Sequence, residues 1–135
     1  MNPEVGKKPC VLLVSAALEL HAAFEYVLNE GGFDTVTVTS RRDGMRELNA
    51  RGGRTYAVVV VDDELLNGNG LDLLAELKVR PDSKPPSVFM VRNLTREVEM
   101  QASSMGATRI IGREYFGELA GLVRDIMDEK QTMVV

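Results

Sequence analysis

Ala57-Val58-Val59-Val60-Val61-Asp62-Asp63-Glu64 is the stretch from which the fold can be read. Five apolar residues in succession, four of them β-branched, leave no face for water, so the segment reads as a strand covered on both sides. Strands of that kind belong to parallel sheets with helices packed on each face. The run stops at three carboxylates, which places a concentrated negative charge at the carboxyl end of the most buried strand.

Working outward, Cys10-Val11-Leu12-Leu13-Val14 is a second continuous apolar run and a second central strand. Between the two lie Leu20, Phe24, Val27 and Leu28 on one helical stripe, closed by Gly31-Gly32, and then a more polar strand over Phe33–Thr39 suited to a sheet edge. Ser40 with Asp43 three residues on resembles a helix cap, and Met45 and Leu48 give that second helix its apolar face before Gly52-Gly53.

Downstream, Asn67-Gly68-Asn69-Gly70 is turn chemistry, and Leu73, Leu74 and Leu77 mark a third helix that must end before Pro81. Val88-Phe89-Met90-Val91 is a fourth strand. A fourth helix (α4) over Thr95–Met105 buries Val98, Ala102 and Met105 and stops at Gly106; Thr108–Ile111 is a fifth strand (β5). Leu119, Leu122, Val123, Ile126 and Met127 then place a last helix (α5) within Tyr115–Met127. Strands alternating with helices need crossover connections, which are right-handed. The expectation is an α/β, flavodoxin-like (βα)5 three-layer sandwich with a parallel five-stranded sheet of order 2-1-3-4-5, whose crevice opens where strands one and three end, at Ser15-Ala16 and Asp62-Asp63.

The totals fit one domain: 135 residues, 44% hydrophobic and 27% charged. A net charge of −4 speaks against broad nucleic-acid binding, which needs a basic footprint. No stretch approaches the roughly 20 apolar residues that span a bilayer. Cys10 stands alone, so no disulfide or paired-thiol metal site can be built from it, and a reducing, cytoplasmic setting is expected. His21, the one histidine, reads as an ordinary helix position, and Cys10 as a buried small hydrophobe. The divisions expected are an extension over 1–8, the domain over 9–130 and a tail over 131–135.

Asp62 ending strand three, Gly70 eight positions later opening Gly70-Leu71-Asp72-Leu73-Leu74, and the stretch Gly106-Ala107-Thr108-Arg109-Ile110-Ile111-Gly112-Arg113-Glu114-Tyr115 together resemble the receiver domain of two-component response regulators. The resemblance covers residues 9 to 129. It implies that Asp62 stands where the family's phosphoacceptor does. It further implies a carboxylate pair after strand one that holds Mg²⁺, a Thr or Ser after strand four, and a Lys after strand five. Those groups suit the chemistry, because a phosphoryl group in transfer carries charge on three equatorial oxygens that must be met by a cation and aligned donors.

Carried over position by position, the pattern departs from the family at almost every point but Asp62. The carboxylate pair falls on Ser15 and Ala16. The Thr/Ser switch position falls on Arg92, with Asn93 beside it, and the Lys position on Arg113; the aromatic switch position falls on Ile110 and the Pro after the Lys on Glu114. Two carboxylates lost and one guanidinium gained raise the local charge by roughly +3 at fixed ionisation. Mg²⁺ prefers several hard oxygen ligands, so the expectation is weak or absent Mg²⁺ binding, no other cofactor, and no metal ligands beyond Asp62 and Glu64. Asp63 and Glu64 are expected to be solvated. Arg113, with Arg92 as a second candidate, is expected to pair with Asp62 in place of the metal.

The function implied is a non-enzymatic receiver, at most self-phosphorylating at Asp62, that works by docking a protein partner, either a histidine kinase or a downstream signalling protein, through its α4-β5-α5 face. It is expected to bind neither nucleic acid nor membrane and to be a monomer or weak homodimer. The alternatives are a conventional phosphoacceptor fed by a histidine kinase, and a small flavodoxin-like ligand-binding or redox protein. The last lacks a hydroxyl- and glycine-rich loop at Ser15-Ala16-Ala17-Leu18 and has an aromatic content of only 5%.

Overall fold

The computed structural model describes residues 8–50, 55–80 and 84–132, the side chains of 130–132 excepted. Five parallel strands form one sheet: β1 (Cys10–Val14), β2 (Asp34–Val38), β3 (Val58–Asp62), β4 (Ser87–Val91) and β5 (Arg109–Gly112), in the order β2-β1-β3-β4-β5. Helices α1 (His21–Glu30), α2 (Arg41–Asn49), α3 (Gly70–Lys78), α4 (Arg96–Ser104) and α5 (Leu119–Thr132) supply the crossovers and the final layer. This is the expected flavodoxin-like sandwich. The Gly52-Gly53 and Pro81 helix stops lie outside the described residues, as do residues 1–7 of the extension and 133–135 of the tail.

Period-two alternation along the strands sorts the core into two layers. Leu12, Val14, Val59, Val61, Phe89 and Val91 face α2, α3 and α4, meeting Leu73, Leu74, Leu77 and Ala102. Val11, Leu13, Val58, Val60, Val88 and Met90 face α1 and α5, meeting Phe24, Leu28, Leu119, Val123 and Ile126. Every residue of β1, β3 and β4 is buried, whereas β2, at the edge, is only partly covered. Each fully buried Val or Leu contributes about 1.5–3 kcal/mol relative to exposure, so these three strands hold the domain together.

Local chemistry sets the helix starts. Ser40 Oγ accepts from Asp43 N at 3.0 Å, as its spacing suggested; Asn69 and Thr95 cap α3 and α4 in the same way, accepting from Asp72 N and Val98 N at 3.2 Å each. Two features differ from the sequence reading. The turn-rich segment after β3 makes a small antiparallel ladder, Glu64–Leu65 against Gly68–Asn69, with Asn67 in the left-handed region at φ 61°. Leu65 is buried under it, which a reading of isolated turn residues gave no reason to expect. Tyr115 lies outside the last helix, in a short 3-10 stretch (Arg113–Glu118) that turns the chain from β5 into α5.

Gly70 fixes how closely α3 approaches β3. A Cβ there would stand 2.3 Å from the Asp62 carbonyl oxygen and 2.6 Å from the Phe89 ring, and neither can retreat without moving a central strand. Gly70→Ala is therefore expected to destabilise the fold by about 1–3 kcal/mol, read as a lower urea midpoint at unchanged slope. An unchanged midpoint would mean that the contact is not rigid.

Candidate functional site

Because all five strands run the same way, the residues that end them gather at one edge of the sheet. Ser15 follows β1, Asp62 ends β3, Arg92 follows β4 and Arg113 follows β5. Asp62 has no solvent exposure. Its Oδ2 accepts from Ser15 Oγ at 2.7 Å and from Arg113 Nη2 at 2.6 Å, while Oδ1 has a long contact, 3.5 Å, with Glu64 N. Ser15 Oγ also accepts from Ala17 N at 3.1 Å, so the hydroxyl is held from both sides.

Arg113 is the hub. Its Nη2 lies 2.6 Å from Asp62, 3.2 Å from Glu64 and 4.0 Å from Asp63, and the side chain is only 15% exposed. Burial pushes the Asp62 carboxyl above its ordinary pKa, against the opposing pull of Ser15 and Arg113. Burial also opposes the charge on Arg113, but Asp62, Glu64 and Asp63 together outweigh it and hold the guanidinium pKa above its ordinary value. Among the described residues, buried Arg113 Nε meets no hydrogen-bond acceptor.

The expected pairing of Arg113 with Asp62 is thus present, and that of Arg92 is not. Arg92 instead binds Asp63, Nε to Oδ1 and backbone N to Oδ2 at 3.2 Å each, with Glu64 3.7 Å from its Nη1. Asp63 and Glu64, expected to be solvated, keep part of their side-chain surface exposed, 25% and 41%, and are also paired, Asp63 with Arg92 and Glu64 with Arg113. Ala16 contributes its backbone, N–H to the Glu64 carbonyl at 2.9 Å, pinning this loop to the end of β1. Asn93 is exposed, and among the described residues no hydrogen bond joins it to the cluster. Ile110 packs, partly buried, into the core layer under α4.

One contributor escaped the sequence reading, and another was placed in the pocket without its role. Ser15, expected at the crevice but without a carboxylate, is a direct hydroxyl donor to Asp62. His21 donates from Nε2 to the Ser15 carbonyl at 2.7 Å and so braces the β1 end from α1. The sheet alone brings Ser15 to Asp62, 47 positions apart, whereas His21 reaches back only six positions, across the turn between β1 and α1.

The donor set does not suit a divalent cation. Asp62 Oδ2 is already engaged by a hydroxyl and a guanidinium, Ser15 and Ala16 supply no carboxylate, and Glu64 is turned onto Arg113. Among the described residues no group of three or more His, Cys, Asp or Glu side chains is placed to hold a metal ion. A cation binding at Asp62 Oδ2 would compete with Arg113 for that oxygen.

Removing one partner of a buried pair leaves an uncompensated charge. Arg113→Ala is therefore expected to cost about 3 kcal/mol, with much of that recovered when Asp62→Asn is added; an additive double mutant would deny the coupling. The pH dependence has a definite sign. Because the folded-state pKa of Asp62 is raised, the native state binds its proton more tightly than the unfolded chain, so its contribution is most favourable below the ordinary value of 3.8 and declines as pH climbs through the window above it. Subtracting the stability of Asp62→Asn from that of the unsubstituted protein across a pH series should show that decline, and a difference that rises with pH would contradict it. Millimolar Mg²⁺ should leave the Asp62 and Glu64 amide resonances unmoved; saturable shifts there would reverse the conclusion about the donor set.

No family model matches the sequence, and no curated protein matches it either. Solved structures do. The receiver domain of a Francisella response regulator superposes with a TM-score of 0.81 at 18% identity, covering 90% of this chain and 98% of its own. A CheY-like receiver domain protein from Methanospirillum hungatei JF-1 gives 0.80 at 16% identity, covering 94% and 99%. An orphan response regulator of H. pylori gives 0.74 at 26% identity, covering 88% and 96%. The chain has the CheY-like, flavodoxin-like fold of these receiver domains over nearly its whole length.

Proposed function

We propose that this chain is a receiver module of two-component signalling in which an internal arginine stands where metal-assisted phosphoryl chemistry would operate, so that it acts by binding a protein partner. The observation that carries this reading is the 2.6 Å bond from Arg113 Nη2 to Asp62 Oδ2. A carboxylate that is to attack phosphorus needs a free oxygen and a cation that also holds the incoming phosphoryl oxygens. Here the cation is a protein side chain already shared among Asp62, Glu64 and Asp63. Phosphorylation of Asp62 is accordingly weak or absent.

The switch positions support the same reading. A hydroxyl that would follow a phosphoryl group is replaced by Arg92, whose guanidinium is tied to Asp63, and a side chain that would swing with it is replaced by Ile110, packed into the core layer. Docking would then rest on a surface already formed. The α4-β5-α5 face is the proposed surface, for a histidine kinase or a downstream signalling protein. Leu94, Met100 and Tyr115 stand exposed along it, at 42%, 64% and 57%, among charged residues such as Glu97 and Glu118. Apolar anchors within a polar rim are the usual makeup of a protein-binding patch.

Incubation with acetyl phosphate and Mg²⁺, followed by intact-mass measurement, tests the chemistry. The expected spectrum lacks the added phosphoryl mass, and a combined Ser15→Asp, Ala16→Asp, Arg113→Lys variant is expected to gain it. Stoichiometric labelling of the unsubstituted chain, abolished by Asp62→Asn, would instead establish a conventional phosphoacceptor.

A further inference from the structure

At the pole opposite Asp62, where β4 and β5 begin, the ends of α3 and α4 and the side of α5 leave a cavity of about 510 Å³. Its walls are apolar: Leu74 and Leu77 from α3, Pro85 and Pro86 ahead of β4, Met105 after α4 and Ile126 from α5. Ser87 and Thr108, at the starts of β4 and β5, bring hydroxyl groups to its lining. The volume falls within the range of small-molecule sites, which are typically apolar with a few placed polar groups.

The charged side chains of the lining narrow the class of occupant. Lys78 Nζ donates to the Ser104 carbonyl at 2.7 Å, and Lys84 Nζ to the Lys78 carbonyl, so two ammonium groups are held beside the cavity by the carbonyls that end α4 and α3. Each bond uses one of the three donors an ammonium carries. Among the described residues neither lysine has a carboxylate partner, and the one carboxylate of the lining, Glu129, is bound by Arg109. An apolar hollow flanked by two cations with donors to spare is complementary to a molecule with an apolar body and one acidic head.

We propose that this cavity is a binding site for a small amphipathic carboxylate, its chain or ring lying against Leu74, Leu77, Met105 and Ile126 and its carboxylate between Lys78 and Lys84. The site lies at the opposite end of the sheet from the Asp62 cluster.

Sodium decanoate, below its micellar concentration and titrated into ¹⁵N-labelled protein, is the probe, with 1-decanol as its uncharged counterpart. The expected result is saturable shifts at Leu77, Lys78, Ser87, Gly106 and Thr108, with the Asp62 and Arg113 amides unmoved. Loss of a charge-assisted contact should weaken decanoate about tenfold in Lys78→Gln and in Lys84→Gln, both exposed positions where the fold should tolerate the change, while 1-decanol binds both variants and the unsubstituted chain alike. Absence of saturable shifts, shifts spread over the exposed Leu94, Met100 and Tyr115 instead, or equal affinity for the acid and the alcohol would each overturn the proposal.

Discussion

A carboxylate with no access to water must be compensated where it stands, and the arrangement around Asp62 follows from that requirement. Isolated burial of such a charge costs several kcal/mol. Compensation comes from a hydroxyl 47 positions earlier in the chain and a guanidinium 51 positions later. Both can reach Asp62 because parallel strands present their carboxyl ends at one edge, with β1 directly beside β3 and β5 one strand beyond β4. Sheet direction is thus the condition for the ion pair, and the ion pair allows a charged residue to end the most buried strand.

The identity of the cation shapes what lies around it. One nitrogen of the Arg113 guanidinium, Nη2, serves Asp62 and Glu64 together, and the group keeps its charge at any ordinary pH. Glu64 opens the short ladder after β3, and that loop is itself fastened by Ala16 N to the Glu64 carbonyl and by Leu66 N to the Thr39 carbonyl. Arg92 then closes the outer side of the cluster on Asp63. Side chains thus cross-tie the ends of β1, β3, β4 and β5.

The two ends of the sheet differ in character for related reasons. At the strand carboxyl ends, loops lead into helix beginnings, and charged and hydroxyl side chains meet there. At the opposite end α3 and α4 finish and the chain must reach the first residues of β4 and β5 over Pro85-Pro86 and Gly106-Ala107, leaving an apolar hollow whose charged groups sit on helix-terminal carbonyls. A helix C-terminus attracts cations, which is why Lys78 and Lys84 gather there.

Much of this was legible in the residues alone. Uninterrupted valines at 58–61 and the apolar run at 10–14 dictate strands buried on both faces; helical stripes such as Phe24, Val27 and Leu28 dictate the crossovers, and alternation of the two dictates a parallel sheet with Asp62 at its mouth. Those are short-range properties, set by periodicity and by turn and cap chemistry. The sequence also indicated a cation at 113 facing Asp62, though only through resemblance. What tertiary structure alone decided is who pairs with whom: that Arg92 takes Asp63 and not Asp62, that Glu64 joins Asp62 on Arg113, and that Ser15 donates to Asp62. Hydrogen bonds and ion pairs act over about 3–4 Å, and whether two side chains come that close depends on strand register and loop path, which no local pattern of residues encodes.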